Sequence, residues 1–200
     1  MPRKLYIYDV TCFQDRWQAN GRFDSDDDDI ITLPITSLKD VLDGLNRLLS
    51  QGIVLDRMLF QTHGDTGSIC LGKDSLYSFD WADPDKFPKG KYEKLLPSYA
   101  RIYFDGCDVA DGQRGVRFLR AAGRVFLKGM GGEVIGWNSF GLGIPGWVPF
   151  IGGHTVHPGG HLVKVRFAPG DDNGTVVDEP SESSDDDYDR YNYLTMPTMP

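Results

Sequence analysis

The chain has 200 residues, of which 40% are hydrophobic and 25% charged, and its formal net charge is -8. This length and apolar content predict one domain with a sizeable core. The acidic surplus disfavours a nucleic-acid partner, which requires clustered Lys and Arg, and no apolar run approaches the roughly 20 residues that a membrane span needs.

The N-terminal stretch MPRKLYIYDV predicts a strand over residues 4–10, because it alternates and is rich in β-formers. It lacks the apolar core and cleavage site of a signal peptide. The three cysteines, an odd and sparse number, favour a reducing compartment over a disulfide framework. The sequence therefore predicts a cytoplasmic protein, and delivery elsewhere by a route without a cleaved signal stays open.

An irregular insert is predicted over residues 11–36, and it contains the acidic run 24–29. A solvated loop is the simpler interpretation of this run. A calcium loop is the alternative, although the run lacks the alternating carboxylates and turn glycine of an EF-hand. Ser37 then caps a predicted helix that continues to about residue 50, with leucines at helical spacing.

Two predicted strands in the middle of the chain end beside residues that can carry chemistry. Residues 53–62 form one strand directly before His63, and residues 101–105 form another that ends just before Cys107. The carboxyl ends of parallel strands meet at one edge of a sheet, where ligands bind. A thiolate is a competent nucleophile, and a neighbouring histidine can act as its base. The sequence thus predicts a catalytic His63–Cys107 dyad.

A glycine follows His63 and another precedes Cys107, and glycine lets the backbone come close to a substrate. The N–H groups of Gly64 and Cys107 are the predicted oxyanion hole. Taken singly, a strand-end cysteine is more often a small buried hydrophobe, and a strand-end histidine a structural residue. The other cysteines, Cys12 and Cys70, are interpreted as structural.

The remaining elements complete an α/β pattern. The sequence predicts half of a hairpin at 68–72, a loop at 73–90, a short helix at 91–96, a helix at 112–128, a strand at 133–137, a structured loop or hairpin at 138–161 and a strand at 162–167. Strands that alternate with helices predict a mostly parallel sheet covered by helices. Residues 170–200, rich in Asp, Glu, Ser and Gly, predict an acidic disordered tail after a domain of residues 1–169.

The stretches LDRMLFQTHGDTGSICLG and ARIYFDGCDVADGQRGVRFL resemble the two signature blocks of caspase/gingipain-like (clan CD type) cysteine peptidases. Their pattern is an apolar strand that ends in His-Gly, followed by a second that ends in x-Cys before a helix. The spacing of 44 residues (107 minus 63) compares with roughly 50 in caspases. The chain is most similar to an uncharacterised bacterial branch with Gly-Cys-x-Val-Ala, and residues 53–140 carry the resemblance. Position 106 is Gly where caspases and legumains have Ala.

The resemblance implies a three-layer α/β/α caspase-like fold and a cysteine endopeptidase that acts on a peptide or protein substrate without a cofactor or metal. Asp105 corresponds to the aspartate that metacaspases associate with basic residues before the scissile bond, which implies cleavage after Arg or Lys. In this clan the segment after the next strand forms a wall of the substrate pocket by strand addition, and the corresponding residues are Trp137, Asn138 and Ser139.

Other functions stay open at this point. His154, His157 and His161 fall within eight residues and could bind a metal, although surface histidines are the simpler interpretation. The chain could be a non-catalytic caspase-like binding module or a toxin-like effector domain, with the aromatic-rich segment 137–150 as a partner surface. It could also be another thiol hydrolase or an acyltransferase. The acidic loop and tail are either solvated stretches or inhibitory segments, and a regulatory protein partner is compatible with them.

Overall fold

A computed structural model describes residues 3–11, 30–143 and 155–179. The strands are β1 (Arg3–Asp9), β2 (Ile30–Ile35), β3 (Leu55–Gln61), β4 (Gly64–Asp65), β5 (Ser68–Leu71), β6 (Asp74–Tyr77), β7 (Ala100–Asp105), β8 (Gly132–Trp137), β9 (Leu142–Gly143), β10 (Thr155–Val156), β11 (Leu162–Phe167) and β12 (Thr175–Glu179). The helices are α1 (Leu38–Ser50), α2 (Ser78–Trp81), a 3-10 helix (Tyr92–Leu95) and α3 (Gly112–Phe126).

The described residues form a central seven-stranded sheet in the order β12-β11-β8-β7-β3-β1-β2. The pairs β2-β1, β1-β3, β3-β7 and β7-β8 are parallel, whereas β8-β11 and β11-β12 are antiparallel. The predicted class is confirmed: the fold is α/β with a mostly parallel central sheet, consistent with a three-layer α/β/α arrangement. Two small sheets, β4-β5-β6 and β9-β10, accompany it.

The main core lies between one face of this sheet and the helices α1 and α3. Helix α1 begins after Ser37, whose hydroxyl accepts the Asp40 N–H at 3.3 Å, as an N-cap should. Its buried face approaches β2 so closely that a Cβ on Gly44 would lie 2.4 Å from Leu33 Cδ2. The largest fully buried side chains of this core are aromatic and include Phe60, Trp81, Tyr92, Phe104, Phe118 and Phe126.

The other face of the sheet carries a smaller cluster. Its buried members come from four adjacent strands and are Tyr6, Leu59, Tyr103, Ile135 and Trp137. Because side chains alternate between faces along a strand, the predicted substrate residue Trp137 belongs to this face.

The predicted irregular insert over residues 11–36 is wrong in its last part. Ile30–Ile35 form β2, which pairs with β1 in parallel. Pro34 obscured the pattern, because a proline argues against a central strand. Here β2 is the edge strand of the sheet, where a missing N–H is tolerated.

The predicted loop over residues 73–90 is also wrong in its first part. Asp74–Tyr77 form β6, which closes the hairpin with β5, and Ser78–Trp81 form the short helix α2. The Asp80 carboxylate accepts the Tyr77 N–H at 2.8 Å and so caps this helix. The segment escaped prediction because a four-residue strand and a four-residue helix are both too short to show a period.

The predicted start of the disordered tail at residue 170 is wrong. Gly170 donates its N–H to the Lys128 carbonyl at 2.8 Å, and Thr175–Glu179 form β12 against β11. The Thr-Val-Val run that begins at residue 175 has strong β-propensity, but the acidic and glycine-rich surroundings concealed it.

Several sequence interpretations lie outside the described residues: Cys12, the acidic run 24–29, the aromatic segment 144–150, His154 and the acidic residues 180–200. In the described ranges, none of the helices combines the length and the apolar character that a bilayer crossing demands.

Candidate active site

The central sheet places the two predicted catalytic residues on adjacent strands. Strands β3 and β7 are parallel neighbours, and Gln61 pairs with Asp105 at their carboxyl ends. The Thr62 N–H extends this ladder by donating to the Asp105 carbonyl at 3.4 Å. His63 and Cys107 each follow two residues after the paired positions, so both lie at the same edge of the sheet.

The turns that carry these residues are in backbone contact. A Cβ placed on Gly64 would lie 2.7 Å from the Cys107 carbonyl oxygen and 2.5 Å from Val109 Cγ2. A Cβ placed on Gly106 would lie 3.1 Å from Gly64 Cα and 2.9 Å from the same valine carbon. A side chain on Gly64 would therefore collide with the Cys107 backbone, and a side chain on Gly106 would force Val109 and the Gly64 turn to shift.

The Cys107 turn is held by the end of β8. Asp108 donates its N–H to the Ser139 carbonyl at 2.9 Å, and Ala110 donates to the Trp137 carbonyl at 2.8 Å. Asp108 has a φ of 53°, a left-handed conformation that a non-glycine residue adopts only when the surroundings impose it. The nucleophile candidate thus sits on a constrained turn.

The Cys107 thiol is half-buried and forms no disulfide. Its Sγ accepts the Gly141 N–H at 3.2 Å and lies 3.6 Å from the Gly141 carbonyl oxygen. Within the described residues, the Cys107 N–H donates to no acceptor. An unused amide beside an accessible sulfur is the arrangement that an oxyanion hole requires.

His63 is fixed through its backbone rather than its ring. Its carbonyl accepts the Cys70 N–H at 2.8 Å and the Thr62 hydroxyl at 3.0 Å, whereas the side chain is exposed. In the described part of the chain no hydrogen bond joins the imidazole to the Cys107 thiol. The structure therefore brings the two turns into contact and leaves the imidazole exposed. Catalytic hydrogen bonds of unliganded sites commonly tighten only when substrate binds.

Asp105 lies in a buried polar cluster next to this turn. Its carboxylate is 3.8 Å from Nε2 of His157, and the histidine ring stacks on Trp137 with centroids 4.3 Å apart. His157 Nδ1 lies 3.1 Å from the Ser139 carbonyl oxygen. Trp137 Nε1, Ser139 Oγ and His157 Nε2 are buried without a hydrogen-bond partner in the described residues. Buried polar atoms in this condition call for a functional or solvent explanation.

Sequence reasoning missed the place of His157, which it grouped only with its neighbouring histidines. The contact with Ser139 spans 18 residues of glycine- and aromatic-rich chain, so no local period could reveal it. His161 has a different environment, and His154 lies outside the described residues. The described ranges contain no group of three or more side chains arranged to ligate a metal.

The half-buried Asn138 side chain links the end of β8 to the start of β11. Its Nδ2 lies 2.8 Å from His161 Nδ1, and its Oδ1 accepts the His161 N–H at 2.8 Å. The backbone adds a further bond from the Asn138 N–H to the His161 carbonyl at 3.2 Å. This residue holds the end of β8 against β11, next to the predicted pocket wall.

Carboxylates surround the Cys107 turn. Burial raises the pKa of Asp108 above its usual value, and repulsion from Asp111 and Asp65 raises it further, against a smaller lowering effect of His157. The mutual influence of three carboxylates indicates a negative potential at this edge of the sheet, which favours a cationic ligand group.

The fold and the site define an α/β protein with a thiol and an imidazole at the carboxyl edge of its parallel strands. The chain matches no protein-family model and has no significant match among curated proteins. The geometry of the turns that contain His63 and Cys107 is therefore the basis for assigning a function to the chain.

Proposed function

We propose that the protein is a cysteine peptidase in which Cys107 is the nucleophile and His63 the general base. The observation that carries this proposal is the backbone contact between the Gly64 and Cys107 turns at the ends of two paired parallel strands. Two reactive side chains at one edge of a sheet, beside an unused N–H, match the requirements of acyl transfer.

The reaction has two halves. His63 accepts the thiol proton as Cys107 Sγ attacks the peptide carbonyl carbon, and the N–H groups of Cys107 and Gly64 stabilise the oxyanion. The tetrahedral intermediate collapses to a thioester when His63 returns the proton to the departing amine. Water then attacks the thioester, its proton passes to His63, and the acid product leaves as the thiol is restored.

Cleavage after Arg or Lys is the proposed specificity. Asp105 lies two residues before the nucleophile and at the inner end of the site, and Asp65, Asp108 and Asp111 add negative potential around it. A guanidinium or ammonium group that enters this region gains charge-assisted hydrogen bonds in a partly dry environment. To reach Asp105, the substrate group would displace the ring of His157 from its position 3.8 Å away.

The dyad is tested by assaying Cys107→Ala and His63→Ala on a peptide library. We expect Cys107→Ala to abolish cleavage, and His63→Ala to reduce kcat/KM by about 100- to 10,000-fold, the usual contribution of a general base. His63 is exposed, so its substitution should leave thermal stability unchanged. Cleavage at the wild-type rate by either variant would reject the dyad.

Thiol labelling provides a matched internal control. Cys70 is also half-buried and free, and burial raises its pKa above the ordinary value of a thiol. Iodoacetamide at pH 7 should therefore modify Cys107 and spare Cys70, as read by peptide mass spectrometry. Equal labelling of both residues would speak against an activated thiol.

The specificity is tested separately with Asp105→Asn. The variant keeps the shape of the side chain and removes its charge, so kcat/KM for Arg and Lys substrates should fall by about 10- to 100-fold, which corresponds to one charge-assisted contact. A neutral residue at the same substrate position should be cleaved as before. An equal loss on all substrates would show that Asp105 has only a structural role.

A non-catalytic binding module is the second candidate, because the exposed His63 ring makes no hydrogen bond to the thiol in the described residues. Resistance of Cys107 to labelling, together with the absence of cleavage, would favour it.

We also propose the cytoplasm as compartment, a setting in which the free thiols Cys70 and Cys107 stay reduced.

A further inference from the structure

A cavity of about 770 Å³ lies between α3 and the strands β11 and β12, beside the candidate active site. Its polar lining includes Arg117, Arg120, Asn138 and His161, and Val176 of β12 contributes to its apolar wall. A second cavity of about 310 Å³ on the other side of α3 is bordered by the same two arginines. Arg117 and Arg120 thus line two neighbouring cavities. Two adjoining cavities suit an extended ligand better than a single small ion.

Both arginines lack an anionic partner in the described part of the chain. Arg120 Nε is buried without a hydrogen-bond acceptor, and neither Arg120 nor Arg117 forms an ion pair there. The half-buried Arg120 side chain therefore has one donor whose desolvation is not compensated, whereas the Arg117 side chain is exposed and accessible to a ligand. Two neighbouring guanidinium groups of this kind can bind carboxylate or phosphate groups.

The same helix already binds the chain segment that precedes β12. Arg124 donates to the Asp172 carbonyl and to Asn173 Oδ1, and Lys128 forms an ion pair with the Asp172 carboxylate. Arg124 lies on the same face of α3 as Arg117 and Arg120, since residues three and four apart are neighbours on a helix, and Lys128 follows just beyond the end of α3. At the carboxyl end of α3, Arg124 thus binds residues 172–173. In the middle of the helix, Arg117 and Arg120 have no such partner within the described residues.

The described chain ends beside this cavity and continues in sequence into an acidic segment. Glu179 of β12 pairs with Leu162 of β11, so β12 ends next to His161 in the cavity lining. Residues 180–200 contain five acidic residues and one basic residue, Arg190. At about 3.3 Å per extended residue, the run Asp185–Asp187 can reach points up to about 20–26 Å from the end of β12.

We propose that the cavity binds the acidic segment 182–189 of the same chain, with Arg117 and Arg120 as its carboxylate-binding residues. The inference does not depend on the chemistry of Cys107, because it rests only on the two arginines, the cavity and the exit point of the chain.

The test uses trypsin to report on the full chain, since Arg190 is the only trypsin site within residues 180–200. Release of the peptide Tyr191–Pro200 is timed by mass spectrometry in a Cys107→Ala background, so that the chain's own thiol contributes nothing. We expect the R117Q/R120Q double variant to release the peptide about five-fold faster, the factor of one or two partly exposed ion pairs. Raising the salt concentration should accelerate release from the parent and have less effect on the variant.

Arg114→Gln is the matched control, because this arginine is exposed on the same helix and does not line either cavity. Neutralising the segment with D185N/D186N/D187N should accelerate release as much as R117Q/R120Q, with no further gain when the two sets are combined. Each rate is normalised to a synthetic peptide of residues 180–200 with the same substitutions. Circular dichroism verifies the fold, and Arg117→Gln alone replaces the double variant if the latter unfolds.

Two results would overturn the proposal. One is release from R117Q/R120Q at the parental rate. The other is calorimetric binding of inorganic phosphate that requires Arg117 and Arg120 but leaves the release of Tyr191–Pro200 from the parent unchanged, which would make the cavity a site for a free anion.

Discussion

The two ends of strand β8 satisfy their polar groups in different ways. At the amino end, the buried Glu133 carboxylate accepts hydrogen bonds from Arg101 Nε at 3.1 Å and Arg166 Nη2 at 2.9 Å. At the carboxyl end, Trp137 Nε1 and Ser139 Oγ are buried with no hydrogen-bond partner in the described residues. The buried polar side chain at the amino end has hydrogen-bond partners, whereas those two side-chain atoms at the carboxyl end have none within the described residues.

This difference suggests that the amino end of β8 contributes to fold stability and that its carboxyl end contributes to the proposed activity. Groups whose hydrogen bonds are complete hold neighbouring strands together, and here they join β7, β8 and β11. Polar atoms left without partners, constrained backbone and close glycine contacts occur where a site must receive something else. We therefore expect substitutions at the amino end of β8 to change stability, and substitutions near its carboxyl end to change activity.

The largest effect is expected from Gly64→Ala, which displaces the Cys107 turn that is hydrogen-bonded to the carboxyl end of β8. The new methyl group would meet the Cys107 carbonyl oxygen and Val109, so the two turns must separate. We expect a loss of about 100-fold or more in kcat/KM and a destabilisation of about 1–3 kcal/mol from overpacking. Peptide cleavage and urea unfolding measure the two effects.

Gly129→Ala is the control, because its Cβ would meet only the mobile end of the Glu93 side chain, at 3.1 Å. It should leave cleavage and stability nearly unchanged. Wild-type activity in Gly64→Ala would contradict the view that contact between the turns matters.

An intermediate effect is expected from Glu133→Gln, which weakens the amino end. The loss should be about 1–2 kcal/mol, below the cost of breaking a fully buried pair, since the Arg101 and Arg166 side chains are about half exposed. Urea unfolding at pH 7 measures it, and kcat/KM should stay at the wild-type value. A fall in kcat/KM without a fall in stability would reverse the assignment of the two ends.

The pH dependence of Glu133 has a defined sign. Burial raises its pKa, but the hydrogen bond from Arg166 and the nearby cations Lys164 and Arg101 outweigh burial, so the pKa in the folded protein lies below its usual value. A carboxyl with a lowered pKa stabilises the fold above its unfolded pKa of about 4.3, and this contribution disappears as pH falls through the folded value. The difference between wild type and Glu133→Gln should therefore shrink in acid.

The smallest effect is expected from Asp108→Asn in the Cys107 turn. Asn tolerates the left-handed φ of 53° about as well as Asp, so only the charge changes. Burial and two neighbouring carboxylates raise the pKa of Asp108, so its ionised form destabilises the fold as pH rises through that pKa. The variant should melt about 1 °C higher than wild type at pH 7.

The same melting experiment at about pH 3 is the control for Asp108→Asn, because a carboxyl group with an unfolded pKa of about 3.9 and a raised folded pKa is then mostly protonated in both states. The gain should nearly disappear there. A gain that persists in acid would mean that the charge of Asp108 is not its cause.

The sequence predicted the elements that have a clear period and length. Strands β3, β7, β8 and β11 and helices α1 and α3 all lie close to their predicted positions. The two edge strands were missed for opposite reasons. Pro34 lies in β2 and argues against a strand, and β12 is embedded in acidic and glycine-rich chain. Edge strands bury one side only, so their sequences are less constrained.

The candidate site was predictable only where it depends on strand ends. The sequence placed His63 and Cys107 at one edge because each follows an apolar run. It could not show that Gly64 and Gly106 touch, since that contact depends on β3 and β7 being neighbours. The packing of His157 on Trp137 was equally hidden, because a long connection without a period precedes the histidine.

The order of the sheet has a consequence for how the molecule is made. Strands β2, β1 and β3 all come from the chain before residue 62, whereas β7, β8, β11 and β12 all come after residue 99. Within the described residues, these halves join in the sheet only where β3 meets β7, the boundary that His63 and Cys107 flank. During synthesis, β1, β2, β3 and His63 all leave the ribosome before β7 does. A nascent chain stalled before β7 therefore lacks Cys107 and leaves the pairing edge of β3 open, so the proposed dyad can form only after β7 has paired with β3.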